Sequence, residues 1–216
     1  MPNPRTTMTD APRRFDTRDI ARIAVFAAII AALGLIGPIP VGPVPITAQT
    51  LGVILAGMVL GAWRGAAAVA VFLALVAVGL PLLSGGHGGA GVFVGVTAGY
   101  LFGWIPGAFV TGLIAHSGRG RLSWWRVALG GVVGGILVVY ALGIPVASLV
   151  AKLPLDAVMI GNLAFIPGDL AKIAIATALT MTLWKAYPPV FGARRERALA
   201  ARTAPAAADA TDASAR

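Results

Sequence analysis

The sequence predicts an all-α, polytopic membrane protein with six transmembrane helices and both termini in the cytoplasm. Three observations carry this. The 216 residues are 58% hydrophobic, with a mean hydropathy of +0.86. Only 12% of them are charged, about half the share of an ordinary soluble domain, which points to a chain built for lipid. The apolar residues fall into six stretches, and the basic residues between them lie almost entirely on alternate connections.

The stretches run from about Ile20 to Gly37, Thr47 to Gly61, Gly65 to Leu83, Val92 to Ala115, Trp124 to Ala147 and Met159 to Tyr187. In the first, Ala24, Ala28 and Ala32 recur every four residues, and Ala27 and Ala31 form a second such row. Small residues at this spacing permit close helix packing. The second stretch is short for a span, which needs roughly 20 residues. It is expected to begin deeper, inside a cavity, where irregular backbone is covered by protein. Trp63, Trp124, Trp125 and Trp184 fall near predicted span ends, as interfacial anchors do, whereas Trp104 falls well inside the fourth span. Residues 1–19 and 188–216 are polar or patternless and are expected to form disordered cytoplasmic tails around a 20–187 membrane domain.

The net charge of +9 finds its explanation in topology. With six crossings, fifteen basic residues share one side: Arg5, Arg13, Arg14, Arg18, Arg22, Arg64, Arg119, Arg121, Arg126, Lys185, Arg194, Arg195, Arg197, Arg202 and Arg216. The other side has Lys152 alone. This asymmetry places the basic side inside a cell membrane crossed several times. Arg119, Arg121 and Arg126 are then set to meet partner proteins or anionic lipids there. Nucleic acid is not an expected partner.

Enzyme chemistry finds no support. The chain has no cysteine, which removes thiolate catalysis, disulfides and Cys-ligated metals. It has no HExxH, no Walker lysine, and no serine with a His and an acid on the same side. His87 and His116 fall on opposite sides, so no metal site is visible. Neither a catalytic residue nor a cofactor is expected.

Ligand chemistry concentrates in three places. Between Ile20 and Leu155 there is no acid at all, yet Asp169 and Lys172 stand together at the head of the last span. Pro167 suits the first turn of a helix. Asp169 then gains from the helix dipole, and Lys172 lies one turn on along the same face. From Pro167 to Trp184 that helix is about 27 Å long, which puts the pair in the outer third of the membrane. Charged residues inside spans usually mark a substrate or ion path, although a purely structural ion pair answers the same pattern. A carboxylate beside an ammonium suits a neutral or zwitterion-like polar head better than a bare ion. The second place is VPITAQTLGVILAG (Val44–Gly57), with Thr47, Gln49 and Thr50 at the outer end of span two. The third is the glycine-rich Leu80–Tyr100 loop, where glycines such as Gly86 and Gly88 can let backbone approach a ligand and where His87 is either a side-chain contact or a bystander. From the residues alone, a ligand-binding transport subunit, a stand-alone secondary transporter coupled to protons through Asp169, and a scaffold or membrane enzyme of unknown type all stand open.

Three motifs in order, VPITAQTLGVILAG, LPLLSGGHGGAGVFVGVTAGYLFGW and FIPGDLAK, resemble the biotin-specific S components (the BioY family) of energy-coupling-factor (ECF) transporters, over about Arg22–Tyr187. The resemblance implies a six-helix S-component bundle that captures biotin near the outer face as substrate and hydrolyses nothing itself. It implies partnership with a transmembrane T component and two ATPase subunits, and a reorientation that turns the loaded pocket toward the cytoplasm. It carries biotin contact onto Asp169 and Lys172, with Thr47, Gln49, Gly86, His87, Gly88 and Tyr100 as further contacts. The family's Ala-x-x-x-Ala docking pattern on the first helix is matched by Ala24, Ala28 and Ala32, and by the neighbouring Ala27 row as well.

Overall fold

The structure, a computed structural model, describes residues 16–40, 44–118, 122–187 and 191. It is all-helical over these residues, with six helices: α1 (Thr17–Gly34), α2 (Gln49–Leu60), α3 (Ala62–Ala77), α4 (Ala98–Ala115), α5 (Trp124–Ala151) and α6 (Leu155–Ala186). A π-helical stretch, Gly131–Val138, runs through α5, and a 3-10 turn at Leu163–Phe165 interrupts α6. The expected tails lie outside the described residues except at their inner edges, and there the structure differs from expectation. Asp16 accepts from the Thr17 N–H at 2.7 Å and caps α1, so the helix starts three residues before the expected boundary. Phe191 is buried against Trp184, with ring centroids 5.0 Å apart. Arg119 and Arg121 also lie outside the described residues.

Of the six helices, α4, α5 and α6 are long and apolar enough to cross a membrane. The α1 helix has the length but carries Arg18, Asp19 and Arg22 in its first turns. The α3 helix is 16 residues long and α2 only 12, so α2 spans about 18 Å against a hydrocarbon core of about 30 Å. Ten of its twelve residues are buried in the protein. Gly61, at φ +82°, joins α2 to α3 without a loop in a conformation that residues with a Cβ avoid.

The centre of the bundle is α4, packed against α2, α3 and α5. Contact is close because small residues meet backbone. A Cβ on Gly57 would collide with the Ala108 carbonyl, and one on Gly107 would lie 2.8 Å from the Gly134 carbonyl oxygen. In a bilayer, where lipid is as apolar as a leucine, such backbone-to-backbone packing is what holds helices together. The α1 helix has two distinct faces. Ile23, Phe26, Ala27 and Ile30 are buried, while Ala24, Ala28 and Ala32 are exposed. Of the two alanine rows in the sequence, the Ala24 row therefore faces outward.

Candidate ligand-binding site

Two short hairpins border one end of the bundle. In the Pro-rich connection, Ile39 and Ile46 exchange both backbone hydrogen bonds at 2.9 Å. In the glycine-rich connection, Leu83 pairs with His87 around Gly85 and Gly86 at φ +84° and +75°. Beneath the hairpins lies a cavity of about 330 Å³ between α2, α4, α5 and α6.

On one side of the cavity stands a charged group. Pro167 sits in the first turn of the Ile166–Ala186 segment and Asp169 follows in the same turn. Asp169 is 7% exposed. One carboxylate oxygen accepts from Lys172 Nζ at 3.0 Å, the other from the Tyr140 hydroxyl at 2.6 Å. Lys172 also donates to Thr50 Oγ1 at 2.9 Å. This cluster joins α2, α5 and α6 and is neutral overall. It is also unsaturated: each carboxylate oxygen can accept again, and one ammonium proton is uncommitted. It can therefore meet a ligand that offers N–H donors beside an acceptor without taking up net charge.

On α4, the Tyr100 hydroxyl donates to Asn162 Oδ1 at 2.8 Å, and Asn162 donates to the Val158 carbonyl at 2.8 Å. The Tyr100 ring meets Tyr140 edge-on, 6.3 Å between centroids. Apolar walls come from Leu101, Trp104, Val139, Val92 and Phe165, and Gly135 in the π-helical stretch of α5 also lines the cavity, where a Cβ would press on Ile54 at 2.7 Å. Single π-helical turns often occur at functional sites.

The structure brings Asp169, Lys172, Gln49, Thr47, His87 and Tyr100 to this cavity. Gln49 is 1% exposed and spends its amide on backbone. It donates to the Ile30 carbonyl at 3.2 Å and the Leu82 carbonyl at 3.0 Å, and accepts from the Ser84 N–H at 2.9 Å. Gln49 thus ties α1 and the glycine-rich hairpin to the head of α2. His87 is exposed, with Nδ1 3.2 Å from the Ser84 carbonyl. Gly86 and Gly88 do not line the cavity. They shape the hairpin above it: Gly86 has a positive φ, and a Cβ on Gly88 would collide with the Leu80 carbonyl.

Sequence reasoning passed over Tyr140, Asn162 and Trp104 as site residues and left Thr50 at a span end. A signal existed for Tyr140: apart from Arg126 near its start, it is the one polar side chain of the expected Trp124–Ala147 span. Trp104 is buried at 5% and belongs to the cavity wall, which accounts for its place away from any membrane interface.

The BioY family profile matches residues 6–189. A biotin transporter BioY of Rhizobium etli is 51% identical over 179 residues, covering 80% of this chain and 96% of the relative. One of Rhodobacter capsulatus is 47% identical over 187 residues, covering 82% and 98%. A crystal structure of the S-component for biotin from an ECF-type ABC transporter matches with a TM-score of 0.74 at 34% identity, over 78% of this chain and 91% of that one. A family profile that spans most of the sequence, relatives aligned over nearly their whole length and a shared fold agree: the chain belongs to the BioY family.

Proposed function

We propose that the chain is the biotin-binding membrane subunit of a vitamin uptake transporter. It is a transport protein rather than an enzyme. The observation that carries this is the neutral, unsaturated Asp169–Lys172–Tyr140–Thr50 cluster on the wall of a cavity of about 330 Å³. Biotin's ureido ring presents two N–H donors and a carbonyl. Asp169 accepts from the ring, Lys172 donates to it or to the valerate carboxylate, and the fused rings and alkyl chain lie against the apolar walls, as in most small-molecule pockets. Thr47, His87 and Tyr100 complete the lining, and Gln49 holds the hairpin that covers it.

The protein resides in the cell membrane as a multi-pass chain with both termini cytoplasmic, in keeping with the distribution of its basic residues. The cavity then opens outward. Import is energised by a T component and two ATPase subunits, and the T component docks on the outward alanine row of α1, Ala24, Ala28 and Ala32. The loaded subunit reorients against that partner to release biotin inward.

The test is calorimetric titration of the purified chain in detergent with biotin, with riboflavin and thiamine as controls. Tight, biotin-selective binding that weakens sharply in Asp169→Asn supports the assignment. Absence of biotin binding by the folded chain overturns it.

A further inference from the structure

Biotin has two polar ends, and the charged cluster answers one of them. The ureido head meets Asp169 and Lys172, whose side chains are only 10% and 15% exposed. The other end is a carboxylate. Beside Asp169 it would set two negative charges together where burial leaves little water to screen them. The valerate chain is therefore better served by the hairpin end of the cavity.

At that end one residue can supply a positive charge. The connections 37–47 and 80–97 contain no acid, lysine or arginine, and His87 is their one titratable side chain. It is exposed and lines the cavity. The other titratable groups of the lining are Asp169, Lys172, Tyr100 and Tyr140. Lys152 and Asp156, at the α5–α6 connection, do not line it.

The hairpin holds the His87 ring in place. Nδ1 lies 3.2 Å from the Ser84 carbonyl, and a carbonyl only accepts, so Nδ1 carries the proton of this bond. Ser84 is itself fixed. Its N–H donates to Gln49 Oε1 at 2.9 Å and its hydroxyl to the Ile36 carbonyl at 3.0 Å. Gly85 leaves room for the ring, which a Cβ there would approach to 3.0 Å. With Nδ1 engaged, Nε2 is the nitrogen left for a ligand, and it has no partner among the described residues. In a neutral imidazole Nε2 accepts, as a carboxylate does, and the two cannot bond. Protonation makes Nε2 a donor.

We propose that the imidazolium form of His87 binds the carboxylate of biotin at the hairpin end of the cavity and so selects the free acid over neutral derivatives with the same head. This rests on the biotin assignment above and adds to it a partner for the ligand's second end, leaving Lys172 to the first.

The experiment is calorimetric titration of the full chain in detergent with biotin and with biotinamide, its neutral amide, at about pH 5.5 and 8.5, on either side of the range in which histidines change charge. Biotin stays ionised at both, since carboxyl groups titrate near pH 4. The ratio of the two affinities cancels any effect of pH on Asp169, Lys172 and the tyrosines, because the head is the same. At the lower pH biotin is expected to bind about three- to tenfold more tightly than biotinamide, a charge-assisted hydrogen bond discounted for exposure. At the higher pH, where the imidazolium has given up its proton, the preference should vanish. His87→Ala should bring the two ligands level at both pH values, and His87→Arg should prefer biotin at both. Equal affinities in the wild-type chain at the lower pH overturn the proposal. A preference that His87→Ala keeps moves the carboxylate to another cation such as Lys172 and overturns it equally, with the biotin assignment intact. If the folded wild-type chain binds neither ligand, the function proposed above falls and this proposal with it.

Discussion

Two buried carboxylates, one near each end of the bundle, have similar partners and different surroundings. Asp19, on α1, is 6% exposed and bridges Arg64 of α3 at 2.9 Å and Arg22 at 3.3 Å. Asp169 is 7% exposed and takes Lys172 and Tyr140. Each acid has both oxygens engaged. Asp19 meets two guanidinium groups and does not line the cavity, so its bonds join α1 to α3 and serve the fold. Asp169 meets one ammonium and one neutral hydroxyl on a cavity wall, so the acceptor capacity that both acids keep lies within reach of a ligand only at Asp169. Burial and an ion pair therefore do not by themselves mark a binding site. Unspent hydrogen-bonding capacity facing open space does.

The comparison breaks most directly at Asp169. Asp169→Asn is expected to weaken biotin binding about ten- to hundredfold, since a charge-assisted hydrogen bond is worth roughly 1.5–3 kcal/mol; an unchanged Kd by calorimetry removes the assigned role. Gln49→Leu takes away three hydrogen bonds to backbone. The hairpin loses its anchor, and if ligand binding must re-order about one residue of it, at roughly 1–2 kcal/mol, the affinity should fall about tenfold. The 83–87 amides should also exchange faster with deuterium, and exchange at the wild-type rate breaks the proposed tie. Tyr140→Phe deletes one donor to Asp169 and should raise Kd about three- to tenfold; calorimetry showing no change places Tyr140 with the scaffold. Asp19→Asn sharpens the contrast from the other side. It should lower the thermal unfolding midpoint by the equivalent of about 1–3 kcal/mol while Kd stays within about twofold of wild type. A large loss of affinity there contradicts the division between the two acids.

The helical class and the Asp169–Lys172 pair were legible because each is local: apolar run lengths give helices, and an acid three residues before a lysine shares a face. The shortness of α2 was legible too. What escaped is long-range. Tyr140 lies 29 positions from Asp169 and Thr50 lies 122 from Lys172, and in helices apolar all round no periodicity tells which face looks inward. Gln49 shows a second limit. Its amide advertises donors and acceptors, but only coordinates reveal that backbone already occupies them. Asp19 shows a third, since its sequence neighbourhood reads as a polar tail while Arg64, its partner, lies 45 positions on.

The outward row of α1 carries a further consequence. Ala24, Ala28 and Ala32 present only methyl groups, and an alanine has no rotamers to freeze on contact. If a partner helix docks there as proposed, such a surface would serve as a plain bearing: the helix would seat, slide and lift off without rearranging any side chain in the row.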